Sequence, residues 1–399
     1  MKRLISGLMV SALAFGVPLG ATAQKKYDPG ATDTEIKIGQ TMPYSGPASA
    51  YGSIGKTADA YFRMINEQGG VNGRKINFIS LDDAYSPPKT VEMTRRLVEQ
   101  EQVLFIMEPL GTPPNTAIHK YMNSKKVPQL FVSSGATKWN DPKHFPWTMS
   151  WQPNYAAEGR IYGKHIVKTK PDAKIAILYQ NDDYGKDYLH GFKEGLGAAV
   201  KQIVSEQTYE VTDPTVDSQI VAAKSSGADT FFNITTPKFA AMAIRRAYDI
   251  GWHPVQYLNN VSSSVGAVLE PAGLEKAKDI ISTQYMMDPT DPRFANDPVM
   301  VEYKAFLAKY YPDANVSDAN NVIGYGIAQT TVHVLKQCGD ELTRANVMKQ
   351  AASLKDYTPK GVLPGIKLNT SPDDYAPMES MQMVRFDGKM WVPFGDVTE

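Results

Sequence analysis

Hydrophobic positions along this chain change period in a regular rhythm. Ile36 and Ile38 alternate with polar neighbours, as on a half-buried strand, and Ala58, Tyr61, Phe62 and Ile65 then recur at helical spacing. Gly69-Gly70 ends that helix, and residues 76–81 read as the next strand. Ser86 before Pro87 marks a helix start. Residues 103–107 and 127–132 are short apolar runs of the buried-strand type, separated by a helix over 115–124. The cycle repeats with strands at 175–179, 230–234 and 255–258. Helices are marked by Leu189, Phe192 and Leu196, by the run from Pro237 to before Gly251, and by a short segment over 262–269. Asp297-Pro298 opens a further helix that carries Tyr303, Phe306, Leu307 and Tyr310 at helical spacing, and another runs over 323–337. Beyond it, residues 366–368 and 381–386 read as strands, and Asp387-Gly388 turns the latter into a hairpin with 389–392.

Strand–helix alternation with short turns predicts an α/β fold with mainly parallel sheets. Two series of units, the first ending near Trp151-Gln152-Pro153, predict two doubly wound three-layer lobes. No low-complexity linker separates them, so extended crossings are expected to join them. Ligands of open α/β sheets sit beyond the carboxyl ends of the strands, which places the site in the cleft between the lobes.

The N-terminus changes the picture by giving an address. Lys2 and Arg3 precede an apolar run over 4–19, and Ala21-Thr22-Ala23 offers a small-x-small cleavage site. Residues 1–23 are therefore expected to be a signal peptide, with a mature chain from about Gln24 delivered to the periplasm. The run is short and broken by Pro18, and no later stretch approaches the ~18 apolar residues of a membrane span, so no membrane insertion is expected. Charge is balanced, with 42 Lys+Arg against 42 Asp+Glu. Without Lys2 and Arg3 the acids lead slightly, which argues against a nucleic-acid binder. Cys338 is the single cysteine and forbids an intrachain disulfide; its place at a helix end before Gly339 suits a structural thiol.

Candidate chemistry is sparse. Residues 50–57, Ala-Tyr-Gly-Ser-Ile-Gly-Lys-Thr, fit a relaxed phosphate-loop pattern, and the 76–82 run resembles a partner strand ending in an aspartate. Phosphate cradling needs a tight glycine-rich turn directly between strand and helix. Here Pro43 and Pro47 intervene and the first glycine is an alanine, so the nucleotide reading is rejected. The 6 His show no metal-ligand spacing, no Gly-x-Ser-x-Gly elbow occurs, and Asp288, Asp291 and Asp297 read as turn and cap residues rather than calcium ligands. No enzyme activity, cofactor or metal is expected. Trp139, Phe145, Trp147, Trp151 and Tyr155 read mostly as packing, with one or two free to clamp a flat ligand. Two polar loops are more informative: residues 111–115 and 133–137 each follow a buried strand and offer N–H groups and hydroxyls suited to a carboxylate, or to ordinary turn and cap bonds.

The ordered set Pro43-Tyr44-Ser45-Gly46-Pro47, Tyr51-Gly52, residues 67–74 (Glu-Gln-Gly-Gly-Val-Asn-Gly-Arg), Asp82-Asp83, Ser134-Gly135-Ala136-Thr137, Asp183-Tyr184-Gly185 and Arg245-Arg246-Ala247 resembles the leucine/isoleucine/valine-type periplasmic solute-binding proteins of ABC importers. It spans nearly the whole mature chain. The resemblance implies two lobes with three crossings, near Trp151, Gln284 and Pro364. Lobe 1 would comprise 33–150 plus 285–362 and lobe 2 151–284 plus 363–399. It implies a monomer that docks on an inner-membrane permease. Tyr51 matches a wall position, Thr112 the carboxylate-binding loop (with Gly111 where a serine is usual), Ser134, Gly135 and Thr137 the second loop, and Tyr184 a second-lobe aromatic. Thr235 lies in a loop, Thr235-Thr236, that replaces a usual aromatic. Amino-acid binders of the family pair the ligand's ammonium with an acid where this chain has Val261. An enclosed ammonium without a counter-charge costs several kcal/mol, so zwitterions are disfavoured. Relatives lacking the acid bind aromatic carboxylates. The expected function is capture of a small organic acid, aromatic by resemblance, through inter-lobe closure. A branched-chain amino acid or amide ligand, and a sensory partner on the same fold, remain the alternatives.

Overall fold

A computed structural model describes residues 25–398, so the expected signal peptide lies outside the described residues. A short first strand, β1 (Lys26–Tyr27), pairs in parallel with β12 (Glu341–Leu342). The first main sheet holds β2 (Glu35–Met42), β3 (Lys75–Asp82), β4 (Phe105–Met107), β5 (Gln129–Val132) and β6 (Thr148–Ser150). Its order is β3-β2-β4-β5-β6 and every pairing is parallel. One face is covered by α1 (Gly52–Glu67), α9 (Pro298–Tyr310), α10 (Asn320–Cys338) and α11 (Arg344–Ala351), the other by α2 (Pro87–Arg95) and α3 (Thr112–Lys125).

The second sheet holds β7 (Ile175–Gln180), β8 (Ile203–Tyr209), β9 (Thr230–Ile234), β10 (Val255–Leu258), β11 (Ile281–Gln284), β13 (Met381–Phe386) and β14 (Trp391–Thr398). They run in the order β14-β13-β11-β10-β9-β7-β8, parallel except for the C-terminal hairpin pairing on β11. Ile175, Ile177 and Phe232 pack toward α4 (Tyr155–Thr169) and α5 (Asp183–Leu196). The alternate positions Ala176, Leu178 and Phe231 pack toward α6 (Asp217–Ser225) and α7 (Pro237–Asp249). Parallel strands buried on both faces are apolar at nearly every position, which is why they were legible as short apolar runs. The edge strand β8 alternates half-buried and exposed residues, so it carried no such run and was not foreseen.

Helices α4 and α5 touch backbone to backbone. A Cβ placed on Gly159 would lie 2.5 Å from the Tyr188 carbonyl oxygen, and one on Gly163 would lie 2.6 Å from that of Phe192. Gly191 and Gly195 meet the Ala156 and Arg160 backbone in the same way. The spacing Gly-x-x-x-Gly on both helices makes this approach possible, and it brings their N-terminal tyrosines, Tyr155 and Tyr184, to one place.

Three crossings join the lobes, after Ser150, after Gln284, and between Met378 and Met381. The third lies later than expected. Residues 363–378 were assigned to the second lobe, yet Leu363, Ile366, Leu368, Tyr375 and Met378 are buried in the first lobe's core. The 366–368 run is no strand but a single bridge, Leu368 to Tyr357. Its apolar alternation reflects packing of an irregular segment. The 262–269 helix is likewise replaced by a 3₁₀ turn (Asn260–Ser262) and a wider π turn (Val265–Leu269).

The phosphate-like run 50–57 is the start of α1, with Lys56 exposed and the Thr57 hydroxyl donating to Asn321 Oδ1 at 2.8 Å in the interior. Asp297 caps α9 through the Val299 N–H, Asp291 caps the following turn through Arg293 N–H, and Asp288 accepts from Thr290. Cys338 is buried, and burial pushes its thiol pKa up to about 12. Among the described residues no helix is long and apolar enough to cross a membrane.

Candidate functional site

The carboxyl ends of both sheets face one cavity between the lobes, part of it open to solvent. The first lobe supplies Tyr51, Ile54, Tyr85, Leu110 and Ile323, and the second Tyr155, Tyr184 and Val261. Polar atoms come from Gly111, Thr112, Ser133, Gln152, Thr236 and Asn320. Among the described residues, no Asp, Glu, Lys, Arg or His lines this wall. Burial raises the pKa of Tyr51, Tyr85, Tyr155 and Tyr184 well above the ordinary phenol range, so they present neutral hydroxyls.

Each wall residue is placed by local chemistry. Asp82 Oδ1 accepts from the backbone of Tyr44, Ser45 and Ala84, and Asp83 Oδ1 from that of Tyr85. These bonds hold Ala84 and Tyr85 in the left-handed region and swing the Tyr85 ring over Gly111. Gly111 has φ of 95°, and a Cβ there would overlap that ring, so the serine usual in this loop cannot coexist with Tyr85 in this position. On the second lobe Asp182 caps α5 through the Tyr184 and Gly185 N–H groups.

The hydroxyls of Thr112 and Ser134 form a directed relay. Ser134 Oγ accepts from Trp139 Nε1 at 2.9 Å and lies 2.7 Å from Thr112 Oγ1. The indole and the Ala136 N–H, at 3.3 Å, can only donate and together fill both Ser134 lone pairs, so the Ser134 hydroxyl gives its own proton to Thr112. The Thr112 proton is thereby left to point elsewhere, toward the cavity. Thr112 is the first residue of α3, where a backbone N–H has no intrahelical acceptor, and Pro113 and Pro114 carry none. One helix N-terminus therefore offers one N–H, one directed O–H and the positive end of its dipole.

Contacts across the cleft close it. The Tyr51 hydroxyl donates to the Val261 carbonyl at 3.0 Å, the Ser264 hydroxyl to Asp318 at 2.9 Å, and Gly266 N–H to the Ser317 carbonyl at 3.0 Å. Behind Val261, Glu158 is fully buried and accepts from Tyr162 Oη at 2.6 Å, Tyr188 Oη at 2.6 Å and Asn260 N–H at 2.7 Å. Burial pushes its pKa up to about 7, against the pull of these donors. Tyr188 stacks on Tyr155 with ring centroids 4.5 Å apart.

The sequence profile of the periplasmic binding protein family matches residues 35–390, which is most of the chain. The chain belongs to the periplasmic binding protein family. It is 24% identical over 363 residues to the Leu/Ile/Val-binding protein homolog 1 of Brucella suis, covering 89% of this chain and 90% of that protein. Its fold is similar to that of a fatty acid ABC transporter substrate-binding protein from Thermomonospora curvata, with a TM-score of 0.78 and 22% identity over 94% of this chain and 95% of the other. It is also similar to an ABC transporter solute-binding protein of R. palustris in complex with benzoate, with a TM-score of 0.75 and 21% identity over 90% and 96% of the two chains. At these identities the likeness to solved structures establishes the fold.

Within this periplasmic binding protein, the sequence-derived candidates divide in two. Tyr51, Thr112, Tyr184 and Val261 come together on the cavity wall. Ser134, Gly135, Thr137 and Thr235 do not. Ser134 is one bond behind, in the relay to Thr112. Gly135 serves through its carbonyl, which accepts from Tyr155 N–H. Thr137 faces Asp187, its hydroxyl donating to that carboxylate at 2.9 Å. Thr235 turns inward, its hydroxyl donating to Asn233 Oδ1 at 2.7 Å, while its neighbour Thr236 takes the cavity position. Thr236 in turn is fixed by Tyr209, whose hydroxyl accepts the Thr236 N–H at 3.0 Å. Sequence reasoning missed Tyr85, Gln152 and Asn320. Asp82-Asp83, quoted above only for the family resemblance, holds the turn that places the first; the other two sit at a crossing and a helix start with no motif of their own.

Proposed function

We propose that this protein is the periplasmic solute-binding component of an ABC importer and that it captures a small organic acid, an aromatic carboxylate, by closure of its lobes. The observation that carries this reading is the uncharged, tyrosine-lined cavity with the directed Thr112 hydroxyl and N–H on its first-lobe side. A carboxylate gains charge-assisted hydrogen bonds there, while a flat apolar body packs against the rings. Val261 supplies no acid, and the buried carboxyl behind it, Glu158, is turned onto Tyr162, Tyr188 and Asn260. An amino acid's ammonium would be enclosed without a counter-charge. On this reading binding and release are the whole mechanism, and no bond is broken.

The remaining assignments follow from that role. Lobe 1 comprises 33–150 and, with the third crossing moved, 285–378; lobe 2 comprises 151–284 and the C-terminal hairpin. Residues 1–23 direct export to the periplasm, and the monomer delivers its ligand to an inner-membrane permease. The likeness to Leu/Ile/Val-binding homologues favours the second reading, a branched-chain amino acid ligand. Thermal-shift and calorimetric titration with benzoate, 4-hydroxybenzoate, 4-coumarate, leucine and valine separates the two. An aromatic acid at ~100 times its dissociation constant should add about 2.7 kcal/mol of stability. Submicromolar leucine binding with no response to aromatic acids overturns the proposal.

A further inference from the structure

Asp82 and Asp83 stand side by side at the end of β3 and titrate oppositely. Asp82 is half-buried; desolvation works to raise it, but the Ser45 hydroxyl, the Ala84 N–H, the Lys89 ammonium at 3.0 Å and the Ser45 N–H hold its pKa down at about 2. Asp83 is fully buried, and burial pushes its carboxyl up to about 6 against the pull of the Tyr85 N–H, the Thr90 hydroxyl and Lys89. Asp82, beside it, and Lys89, on α2, are the charged groups that act on it. Asp82 stays ionised throughout the range in which Asp83 titrates.

Both oxygens of Asp83 are used. Oδ1 accepts from the Tyr85 N–H at 2.9 Å and Oδ2 from the Thr90 hydroxyl at 2.8 Å. The Asp83 N–H donates to the Met42 carbonyl, and the Asp83 carbonyl accepts from the Ser86 N–H. The turn so held is strained: Ala84 has φ of 52° and Tyr85 of 60°, a region that a residue with a Cβ enters only when its surroundings impose it. This conformation lays the Tyr85 ring over Gly111 in the cavity wall. It also carries the Tyr85 hydroxyl across the cleft to the Gln180 side chain of the second lobe, near Asp182. Tyr85 is thereby a wall residue and a cross-lobe contact at once, and the acceptor of its N–H is Asp83.

We propose that Asp83 is a positioning residue for the cleft: its carboxylate holds the strained turn that lays Tyr85 across the lobes, so protonation of Asp83 weakens closure and ligand binding. The role rests on the binding-and-closure reading above and adds a pH dependence to it. Met42, Ser86 and Thr90 all belong to the first lobe, so Asp83 stays buried when the lobes part. The Gln180 contact is lost on opening, the turn relaxes and the Tyr85 bond slackens. A buried carboxyl with fewer donors holds its proton more tightly, so the open arrangement binds this proton better than the closed one. Lowering the pH toward about 6 therefore favours opening.

The test is hydrogen exchange of the Tyr85 amide in the ligand-free mature protein between about pH 5.5 and pH 8, corrected for the intrinsic pH dependence of exchange. Calorimetric titrations with benzoate and with leucine cover the same range. Protection of the Tyr85 amide should fall about three- to tenfold as the pH is lowered through about 6, because a bond to an ionised acceptor is roughly twice as strong as one to a neutral acceptor. The affinity of whichever ligand binds should fall by a similar factor. Asp83→Asn keeps an acceptor for the Tyr85 N–H and offers Thr90 a donor, so it copies the protonated acid. Its protection and affinity should match those of the wild type at the acid end of the range and stay flat. Thr90→Val removes one donor from the carboxylate without touching Tyr85 and should move the midpoint to higher pH, a shift that a purely structural role does not produce. Glu158 and Asp182 are unchanged in both variants, so differences from the wild type belong to Asp83. Protection that does not vary with pH, an Asp83→Asn profile that follows the wild type, an unmoved midpoint in Thr90→Val, or a change in protection without a change in affinity overturns the inference and leaves the binding reading standing. Binding of neither ligand counts against the proposed ligands instead, and hydrogen exchange still decides the role of Asp83.

Discussion

At the scale of single residues the chemistry depends on who donates to whom. Trp139 and the Ala136 N–H together fill the Ser134 lone pairs, so Ser134 donates to Thr112, and that leaves the Thr112 proton for a ligand anion. Thr112→Val keeps the shape and removes this proton. A hydrogen bond to a charged group is worth about 1.5–3 kcal/mol, so affinity for a carboxylate ligand should fall about 10- to 100-fold in a calorimetric titration. Unchanged affinity would mean that the anion is held elsewhere. Thr112 was legible in the sequence because a polar loop after a buried strand marks the carboxyl end of a sheet. Its neighbour Gly111 was read as a departure from the family pattern, and the structure supplies the cause in the Tyr85 ring above it.

Among the elements, α4, α5 and the loop carrying Val261 act as one wall because Glu158 binds all three. Burial lifts this carboxyl from its ordinary value of 4.5 to about 7. The folded state therefore holds its proton more tightly than the unfolded chain does. As pH rises from about 4.5 to about 7, the unfolded chain releases its proton first, and the stability belonging to this site falls, levelling off above that window. Glu158→Gln is neutral throughout. Its amide oxygen replaces the acceptor for Asn260 N–H, and the Tyr162 hydroxyl retains the Leu258 carbonyl at 3.0 Å as an alternative acceptor. The melting temperature of the variant minus that of the wild type should become more positive between about pH 5 and pH 8. A flat difference would show that Glu158 does not titrate as its burial requires. The glycines that bring α4 and α5 together were visible in the sequence, but their role was not, since Gly-x-x-x-Gly has meaning only once the facing helix is known.

For the whole molecule, the proposed function is a shift between open and closed arrangements, in which a ligand drives closure only through contacts that both lobes make together. The Tyr51–Val261 bond is such a contact, spanning 210 residues of sequence. Tyr51→Phe keeps the ring in the wall and removes the latch. With a neutral hydrogen bond worth about 0.5–1.5 kcal/mol, ligand affinity should weaken about three- to tenfold, and small-angle scattering of the ligand-free protein should show a more open average shape. Unaltered affinity together with unaltered scattering would assign Tyr51 a packing role alone.

Local pattern and residue type alone carried the α/β class, the two-lobe plan, most helix and strand positions of the buried interior, the expectation of a cleft between the lobes, and a loop at 258–262 without an acid. These are encoded in local periodicity and in residue types, which need no knowledge of distant neighbours. The third crossing was misplaced because Ile366 and Leu368 are apolar in a strand-like pattern, and only the packing of the first lobe's core showed which body they serve. Likewise Thr236 rather than Thr235 faces the cavity, and Ser134 works through Thr112. Which way a side chain points at the end of a strand is decided by partners brought from far along the chain, here Tyr209 and Trp139, and that was settled only when the two sheets came together.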